Sequence, residues 1–503
     1  MGSDWKKVGL NDLGEVARGK SRHRPRYAEH LYGGKYPFVQ TGDIKASGGL
    51  VTSHSQTYSE AGLAQSRLWP TNTMCITIAA NIAETGILTY PACFPDSVIG
   101  FVADEKKCDV RFVEYHFRYL KKQLQREAIG SVQDNINLAT FERLKFSIPA
   151  VEEQKRIADI LYSLDSKIHL NQKTNQTLEQ MAQALFKSWF VDFDPVFDNL
   201  LASVDFKLEN LETSLPDELK QKAQRRLAAL NSLENATECK ASLIALAHDL
   251  QAQLPTKEAE KGTETPVKAN FNTNPNILTQ HANTHAHFPN EFEHNEQLGW
   301  IPKGWEAKTI DEICRINPES WTKKNAPQVV KYVDLANAKN GAVGETIEYS
   351  FSEAPSRARR VLRPHDTIIG VVRPANRSFA YVNEENLTGS TGFAVVRANN
   401  QNCRAFAYFS LTNDDCIQEF TRIADGAAYP AIKPEDVANT YCIYSNNKIL
   451  DTFESSIGKF MAKVAKNEQQ NRYLTKLRDT LLPKLISGEV QIPDVTTDEK
   501  IVD

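Results

Sequence analysis

Two stretches about 296 residues apart carry the same heptad frame, and that repeat constrains the fold more than any other feature of the chain. In the first, Ile157, Leu161, Leu164, Ile168, Asn171, Asn175, Leu178, Ala182 and Leu185 follow alternating steps of four and three, the a/d rhythm of a coiled coil. The second repeats it with Phe453, Ile457, Phe460, Val464, Asn467, Asn471, Leu474, Arg478 and Leu481. A polar residue at a seam position lowers stability but fixes register and partner. The matched Asn pairs therefore predict that the two helices pack together, with the chain duplicated around a helical spine.

The upstream segments match more loosely. Trp5 before Leu10, Leu13 and Val16 is answered by Trp305 before Ile310, Ile313 and Ile316. The strand-like run Tyr36 to Ile44 is set against Val329 to Leu335, Ser97 to Val102 against Ser390 to Val395, and Gly130 to Phe146 against Gly426 to Ile443. Repeat units of a solenoid run about 20 to 50 residues, so this is a domain duplication. At 503 residues with 41% hydrophobic content the chain is ample for two cores plus a spine.

The net charge of -4 is unevenly placed: residues 196–299 hold 9 basic and 15 acidic side chains, so the rest sums to +2. Arg18, Lys20, Arg22, Arg24 and Arg26, with Tyr27 beside them, form a cationic run suited to phosphates and bases, and equally to a solvated loop. None of the eight Cys forms a CxxC pair, which leaves zinc and redox motifs unsupported. With no apolar leader segment at the N-terminus and only strand-sized apolar runs, the expected location is the cytoplasm.

Between the repeats, Pro216 to Leu254 carries an apolar stripe of Leu219, Leu227, Leu230, Leu233, Ile244, Leu250 and Leu254, which predicts a helical hairpin along the spine. Pro255 to Asn295 turns to Thr, Asn, Pro, Glu and His and reads as a loose linker. His281, His285 and His287 fall there and are read as part of a polar tract, not as metal ligands. Catalytic constellations are missing: there is no Gly-rich cofactor loop, no Asn/Asp-Pro-Pro-aromatic tetrapeptide, no GxxxxGK[ST], no GxSxG and no HExxH. The chain does not read as an enzyme.

Ile148-Pro149, Glu153-Gln154-Lys155-Arg156-Ile157 and Trp189-Phe190-Val191-Asp192-Phe193-Asp194-Pro195-Val196 resemble the central conserved region of the specificity subunits of type I restriction-modification systems, and further segments match that family in order. Leu298-Gly299-Trp300-Ile301-Pro302-Lys303-Gly304-Trp305 resembles its approach to the second recognition domain, and Leu481-Leu482-Pro483-Lys484-Leu485-Ile486-Ser487-Gly488-Glu489 its distal conserved region. Gly130-Ser131-Val132-Gln133 with Asn135-Ile136-Asn137 resembles the segment closing the first domain.

The resemblance implies an α+β chain with two tandem target recognition domains separated by two long antiparallel coiled-coil helices, a pseudo-twofold duplication. Its implied divisions are a first recognition domain over 1–149, a spine helix over 150–198, a helical segment plus polar linker over 199–296, a second recognition domain over 297–446, a second spine helix over 447–490 and a tail over 491–503. Each domain is expected to read one half of an asymmetric, interrupted site in double-stranded DNA. The heptad run from Ile157 to Trp189 is roughly 50 Å long at about 1.5 Å per residue, or about 14 base steps of unread gap. The implied partners are two methyltransferase subunits carrying S-adenosylmethionine, and restriction and translocase subunits using ATP and Mg; no cofactor is expected on this chain. Glu179, Met181, Phe186, Trp189, Phe190, Arg472, Leu477 and Leu482 are assigned to the spine or partner surface, with Asn171, Asn175, Asn467 and Asn471 at the seam.

Base-reading candidates follow from side-chain chemistry: Arg or Lys for guanine, Asn or Gln for adenine, on loops held by a scaffold. In the first domain they are Arg22, Arg24, Tyr27, Gln40, Thr41, Asp43, Lys45 and Asn81. In the second they are Asn317, Lys323, Lys324, Asn337, Arg357, Arg359, Arg360, Arg373, Asn376, Arg377 and Tyr429. Two rivals stand beside this reading: a coiled-coil scaffold with two protein-binding domains, and the specificity chain of a related phage-defence system.

Overall fold

A computed structural model describes residues 5–23, 25, 27–79, 82–129, 144–211, 215–252, 284–426 and 429–492. The chain divides into two units, one of residues 1–173 and 467–503 and one of residues 174–466. Strand pairing repeats from one to the other.

In the first unit, β1 (Lys6–Val8) pairs antiparallel with β9 (Phe146–Ile148). Leu10 and Leu13 on the single turn α1 (Leu10–Leu13) bury into the core, and Asp12 caps the turn by accepting the Gly9 N–H at 2.7 Å. The main sheet contains β2 (Gly14–Arg18), β4 (Leu50–Val51), β6 (Thr73–Thr77), β7 (Thr85–Leu88) and β8 (Val98–Ala103), in the order β2-β8-β6-β7-β4. Its central strand β6 is buried throughout. Gly100 on β8 sits where a Cβ would fall 2.6 Å from the Trp69 ring and 2.7 Å from the Phe94 ring, so glycine alone lets that stacked pair lie on the strand.

A separate hairpin joins β3 (Tyr32–Phe38) to β5 (Gln56–Tyr58), with α2 (Thr41–Ala46) between them and α3 (Glu60–Ala64) after. The expected strand from Tyr36 to Ile44 therefore stops at Phe38. Asp43 Oδ2 accepts the Gln40 N–H at 2.8 Å, and this cap turns the following residues into helix. Helix α4 (Val110–Ile129) packs on β6 and β7, with Phe112, Val113, Tyr115 and Phe117 buried in the core it shares with the sheet and the long helices.

The first long helix, α5 (Val151–Phe190), runs 40 residues and leads to α6 (Asp194–Ser203), α7 (Asp217–Asn231) and α8 (Ala236–Ala252). Leu219 and Leu230 of the apolar stripe are buried on α7 beside Ala223, whereas Leu233 is 45% exposed. Asp198 of α6 lies fully buried, accepting from Arg226 Nε and Nη2, both at 2.7 Å, with His285 Nε2 at 3.0 Å. Against the desolvation of burial, those bonds hold its carboxyl below the ordinary range. Residues 253–283, including His281, lie outside the described residues. The far end of the tract read as linker is packed: His285 is buried, and Asn199 Nδ2 donates to the His285 and Phe288 carbonyls, each at 2.9 Å.

Next come β10 (Phe292–Asn295) and β11 (Gly299–Pro302), an antiparallel pair. Then β12 (Glu306–Thr309), α9 (Ile310–Ile313) and β13 (Cys314–Ile316) restate β1, α1 and β2. One four-stranded sheet is built from β14 (Val329–Val333), β17 (Ile347–Ser350), β18 (Ala358–Leu362) and β21 (Leu387–Ser390), with the small hairpin β15 (Ala338–Lys339) and β16 (Ala342–Val343) following β14. They line up as β17-β14-β21-β18. The other sheet runs β13-β22-β19-β20, with β19 (Thr367–Gly370), β20 (Phe379–Tyr381) and β22 (Phe393–Ala398). Helices α10 (Arg404–Thr412), α11 (Asp414–Ile423) and α12 (Pro434–Ala438) follow, and β23 (Tyr441–Tyr444) closes on β12. Val16 faces Phe101 while Ile316 faces Val396. Phe101 thus answers Val396, two residues later than the match of Ser97–Val102 to Ser390–Val395 puts it.

The second long helix, α13 (Asn447–Ile486), also has 40 residues. In the first unit Asn171 Nδ2 donates to Asn471 Oδ1 and Gln470 Oε1, each at 2.9 Å, and Arg478 Nη1 to Asp165 Oδ1 at 2.7 Å, an antiparallel pairing. In the second, Asn175 Nδ2 donates to the Val464 carbonyl at 3.5 Å while Phe453 rests on Phe190, again antiparallel. Trp5 lies against Gly488, which ends α13 with φ +73, and Trp305 lies against Phe190 and Phe193 at the end of α5. Among the described residues no helix is long and apolar enough to cross a membrane.

Candidate nucleic-acid interface

Both units carry polar turns on their strand frameworks, and the same capping device shapes two of them. Gln40 N–H donates to Asp43 Oδ2 at 2.8 Å after β3, and Asp334 N–H donates to Asn337 Oδ1 at 3.2 Å after β14. Asp43 also accepts from Ser55 Oγ at 3.1 Å, and Asn337 Nδ2 donates to the Glu345 carbonyl at 2.9 Å. These two side chains therefore hold their turns. Gln40 Nε2 reaches Gln56 Oε1 at 2.7 Å, a neighbour that no local motif announces. Thr41 is half-buried and Lys45 is exposed on the same short helix.

The cationic run of the first unit is stitched to α3 from its backbone, since Arg22 and His23 N–H both donate to Gln65 Oε1, at 2.6 and 3.0 Å. Arg22 is exposed and Tyr27 is 80% exposed. Arg24, Asn81 and the Gly130 to Asn137 motif lie outside the described residues.

In the second unit two groups form. Trp321 N–H donates to the Arg359 carbonyl at 2.7 Å and its indole Nε1 to Thr388 Oγ1 at 3.0 Å, which fixes the turn bearing exposed Lys323 and Lys324 beside β18. Arg359 lies 4.7 Å from the Phe351 ring centroid, Arg360 Nη1 donates to Ser320 Oγ at 3.3 Å, and Arg357 sits 3.5 Å from Asp334. Burial lowers the Arg360 pKa. Arg363 and Arg397, close by in the fold, are tied to acids instead: hydrogen bonds from Arg363, assisted by Arg397, hold Glu319 at about 2.

The other group brings together residues far apart in sequence. Arg373 stands over Tyr429 with its guanidinium 4.7 Å from the ring centroid. Asn376 offers its carbonyl to Lys339 Nζ at 3.2 Å, and Arg377 Nη1 pairs with Asp414 Oδ1 at 2.7 Å. Lys339 escaped sequence reasoning, its only cue being the Asn340-Gly341 turn beside it, both of positive φ. Asn317 stands apart, φ +50, exchanging its N–H and Oδ1 with the Val395 backbone at 2.7 and 3.0 Å.

A model of the type I restriction modification DNA specificity domain matches residues 2–180. The specificity subunit of the type I restriction enzyme HindI from Haemophilus influenzae is 24% identical over 97% of this chain and all of that protein. The MjaIX specificity subunit from Methanocaldococcus jannaschii is 22% identical over 98% of this chain and 95% of that protein. The crystal structure of the type I restriction-modification S subunit from M. genitalium covers 98% of this chain and 97% of its own, at 14% identity and a TM-score of 0.48. The domain match and two relatives aligned nearly end to end agree: along its length the chain is similar to the specificity subunits of type I restriction-modification systems.

Proposed function

We propose that each unit reads one half of an asymmetric, interrupted sequence in double-stranded DNA, with a gap of fixed length between the halves. The observation that carries this is the repetition itself: the same strand pairing, from β1–β9 to β12–β23, occurs twice, and each copy bears exposed cations, Lys45 and Lys339, near a capped turn. In the first unit the reading surface is the α2 turn with Gln40, Thr41 and Lys45, and the run at Arg22, Arg24 and Tyr27. In the second it is Lys323, Lys324, Arg357, Arg359 and Arg360, together with Arg373, Asn376, Arg377 and Tyr429. Asp43 and Asn337 hold the turns that carry this surface, while Asn81 and Asn317 stay candidates on side-chain chemistry alone.

The chain is the non-catalytic member of its complex. Two methyltransferase subunits supply S-adenosylmethionine chemistry, and restriction and translocase subunits supply ATP- and Mg-dependent cleavage. Exposed apolar side chains on the long helices, Leu170, Met181, Tyr473 and Leu477, support a partner surface there. The test is single-molecule sequencing of host DNA for N6-methyladenine with the gene present and deleted. Loss of one bipartite motif on deletion is the expected result; a methylation map unchanged in a strain with intact partner genes sinks the reading.

A further inference from the structure

We propose that Arg373 and Tyr429 form a pre-set guanine reader in the second unit. The proposal rests on the specificity reading above and names one base contact within it. Arg373 has φ 50 and ψ 66, and Arg377 φ 53 and ψ 44, at the two ends of a single 3-10 turn, Pro374–Asn376. Residues with side chains enter this left-handed region at an energetic cost and stay there only where the surroundings over-determine them.

Here they do. Arg373 N–H donates to the Pro430 carbonyl at 2.7 Å, and the N–H groups of Asn376 and Arg377 close onto the Arg373 and Pro374 carbonyls, each at 2.9 Å. Lys339 ties down the Asn376 carbonyl and Asp414 ties down Arg377. The product of that effort is not core packing, because Arg373 is exposed and Tyr429 is 69% exposed. It is a guanidinium laid on an aromatic ring at a fixed place on the surface.

Holding the backbone at Arg373 and seating its guanidinium over the ring reduces the ordering cost at binding. Its fork of parallel N–H groups matches O6 and N7 of guanine in the major groove, the commonest specific arginine contact to a base. A phosphate contact has no need of such fixing, since any cation within reach serves. Lysine, a single point charge, cannot reproduce the fork.

The experiment maps N6-methyladenine in host DNA when the sole copy of the gene is wild type, Arg373→Gln, Arg373→Lys or Tyr429→Leu, with partner genes intact. The wild type is expected to give a bipartite motif. All three variants keep one half and the gap but lose guanine preference at a single position of the other half, by about 10- to 100-fold for Arg373→Gln. An unchanged motif overturns the proposal, as does modification that falls uniformly over all sequences. Where Arg373→Gln abolishes modification, competition binding by the purified Tyr429→Leu complex, with each base of the half-site varied, decides: relaxation at one guanine supports the proposal and a flat loss overturns it. A wild type with no motif defeats the specificity reading itself, which an unchanged variant motif leaves standing.

Discussion

The two units dock their globular parts onto the long helices with apolar side chains, and differ in what is added to them. In the first, a part-buried ionic cluster is added: Asp165 of α5 accepts from Tyr115 Oη, Arg118 Nη1 and Arg478 Nη1, at 2.8, 2.8 and 2.7 Å. Arg118 also holds buried Glu114 at 2.6 Å and the Gly48 carbonyl at 2.9 Å. In the second, Phe186, Trp189 and Phe190 of α5 close on Phe406 and Phe409 of α10 and on Phe453 of α13, with Phe190 and Phe453 centroids 5.1 Å apart and nearly perpendicular. One backbone plan thus tolerates two interiors. Directional bonds join apolar packing of Phe112, Leu161 and Leu485 at the first junction, and buried aromatic area dominates the second.

The comparison breaks most readily at the aromatic side. Phe453→Ala removes a fully buried ring and should destabilise the second unit by about 3–5 kcal/mol. Chemical denaturation of the full chain would measure it, and a loss under about 1 kcal/mol would mean that rings are not what holds this junction. Arg118→Met comes next. It leaves Glu114 and Asp165 without their shared cation and should cost about 2–4 kcal/mol, with much recovered when Glu114→Gln is added. If the double variant is no better than the single, Arg118 acts through packing.

The smallest effect concerns the one acid of the aromatic side that faces the globular part from α5. Burial raises the Glu179 pKa, only partly offset by hydrogen bonds from Tyr408 Oη at 3.1 Å and Gln183 Nε2 at 3.2 Å. A carboxyl with a raised folded-state pKa gains a proton on folding, so its penalty is present at neutral pH and relieved as pH falls through that pKa. Glu179→Gln should therefore unfold at a slightly higher temperature near neutral pH and lose this advantage near pH 4. An advantage that stays constant across the pH series would exclude titration of this group as the cause.

Reading the chain as a duplicated α+β protein rested on residues that set backbone geometry. The Asn-marked heptads persist over many turns, and the Trp5 and Trp305 repeat sits at two corresponding helix ends. The junctions were not legible, because Tyr115 and Asp165 meet only after α4 folds back on α5. At the candidate surface, side-chain type distinguished neither Arg357, beside Asp334, nor Arg377, on Asp414, from Arg373 on its ring. Tyr429 is 56 residues from Arg373 in sequence, and only the Val372 to Ala431 bridge brings their segments side by side. The Asp43 and Asn337 caps carried a faint signal: a short polar side chain three residues after a strand-end residue whose N–H needs an acceptor.

The first unit takes its closing residues, Leu485 and Ile486, from the far end of the sequence, and both are buried among side chains that include Leu10, Phe112 and Leu161. A ribosome adding about 5–20 residues per second needs on the order of half a minute to travel from Leu161 to Leu485. Through that interval the nascent unit holds an uncovered apolar strip whose Asn-marked frame is the one its own second copy will present. On a crowded polysome the neighbouring chains offer that frame too, so pairing within one chain competes with pairing between chains until α13 emerges.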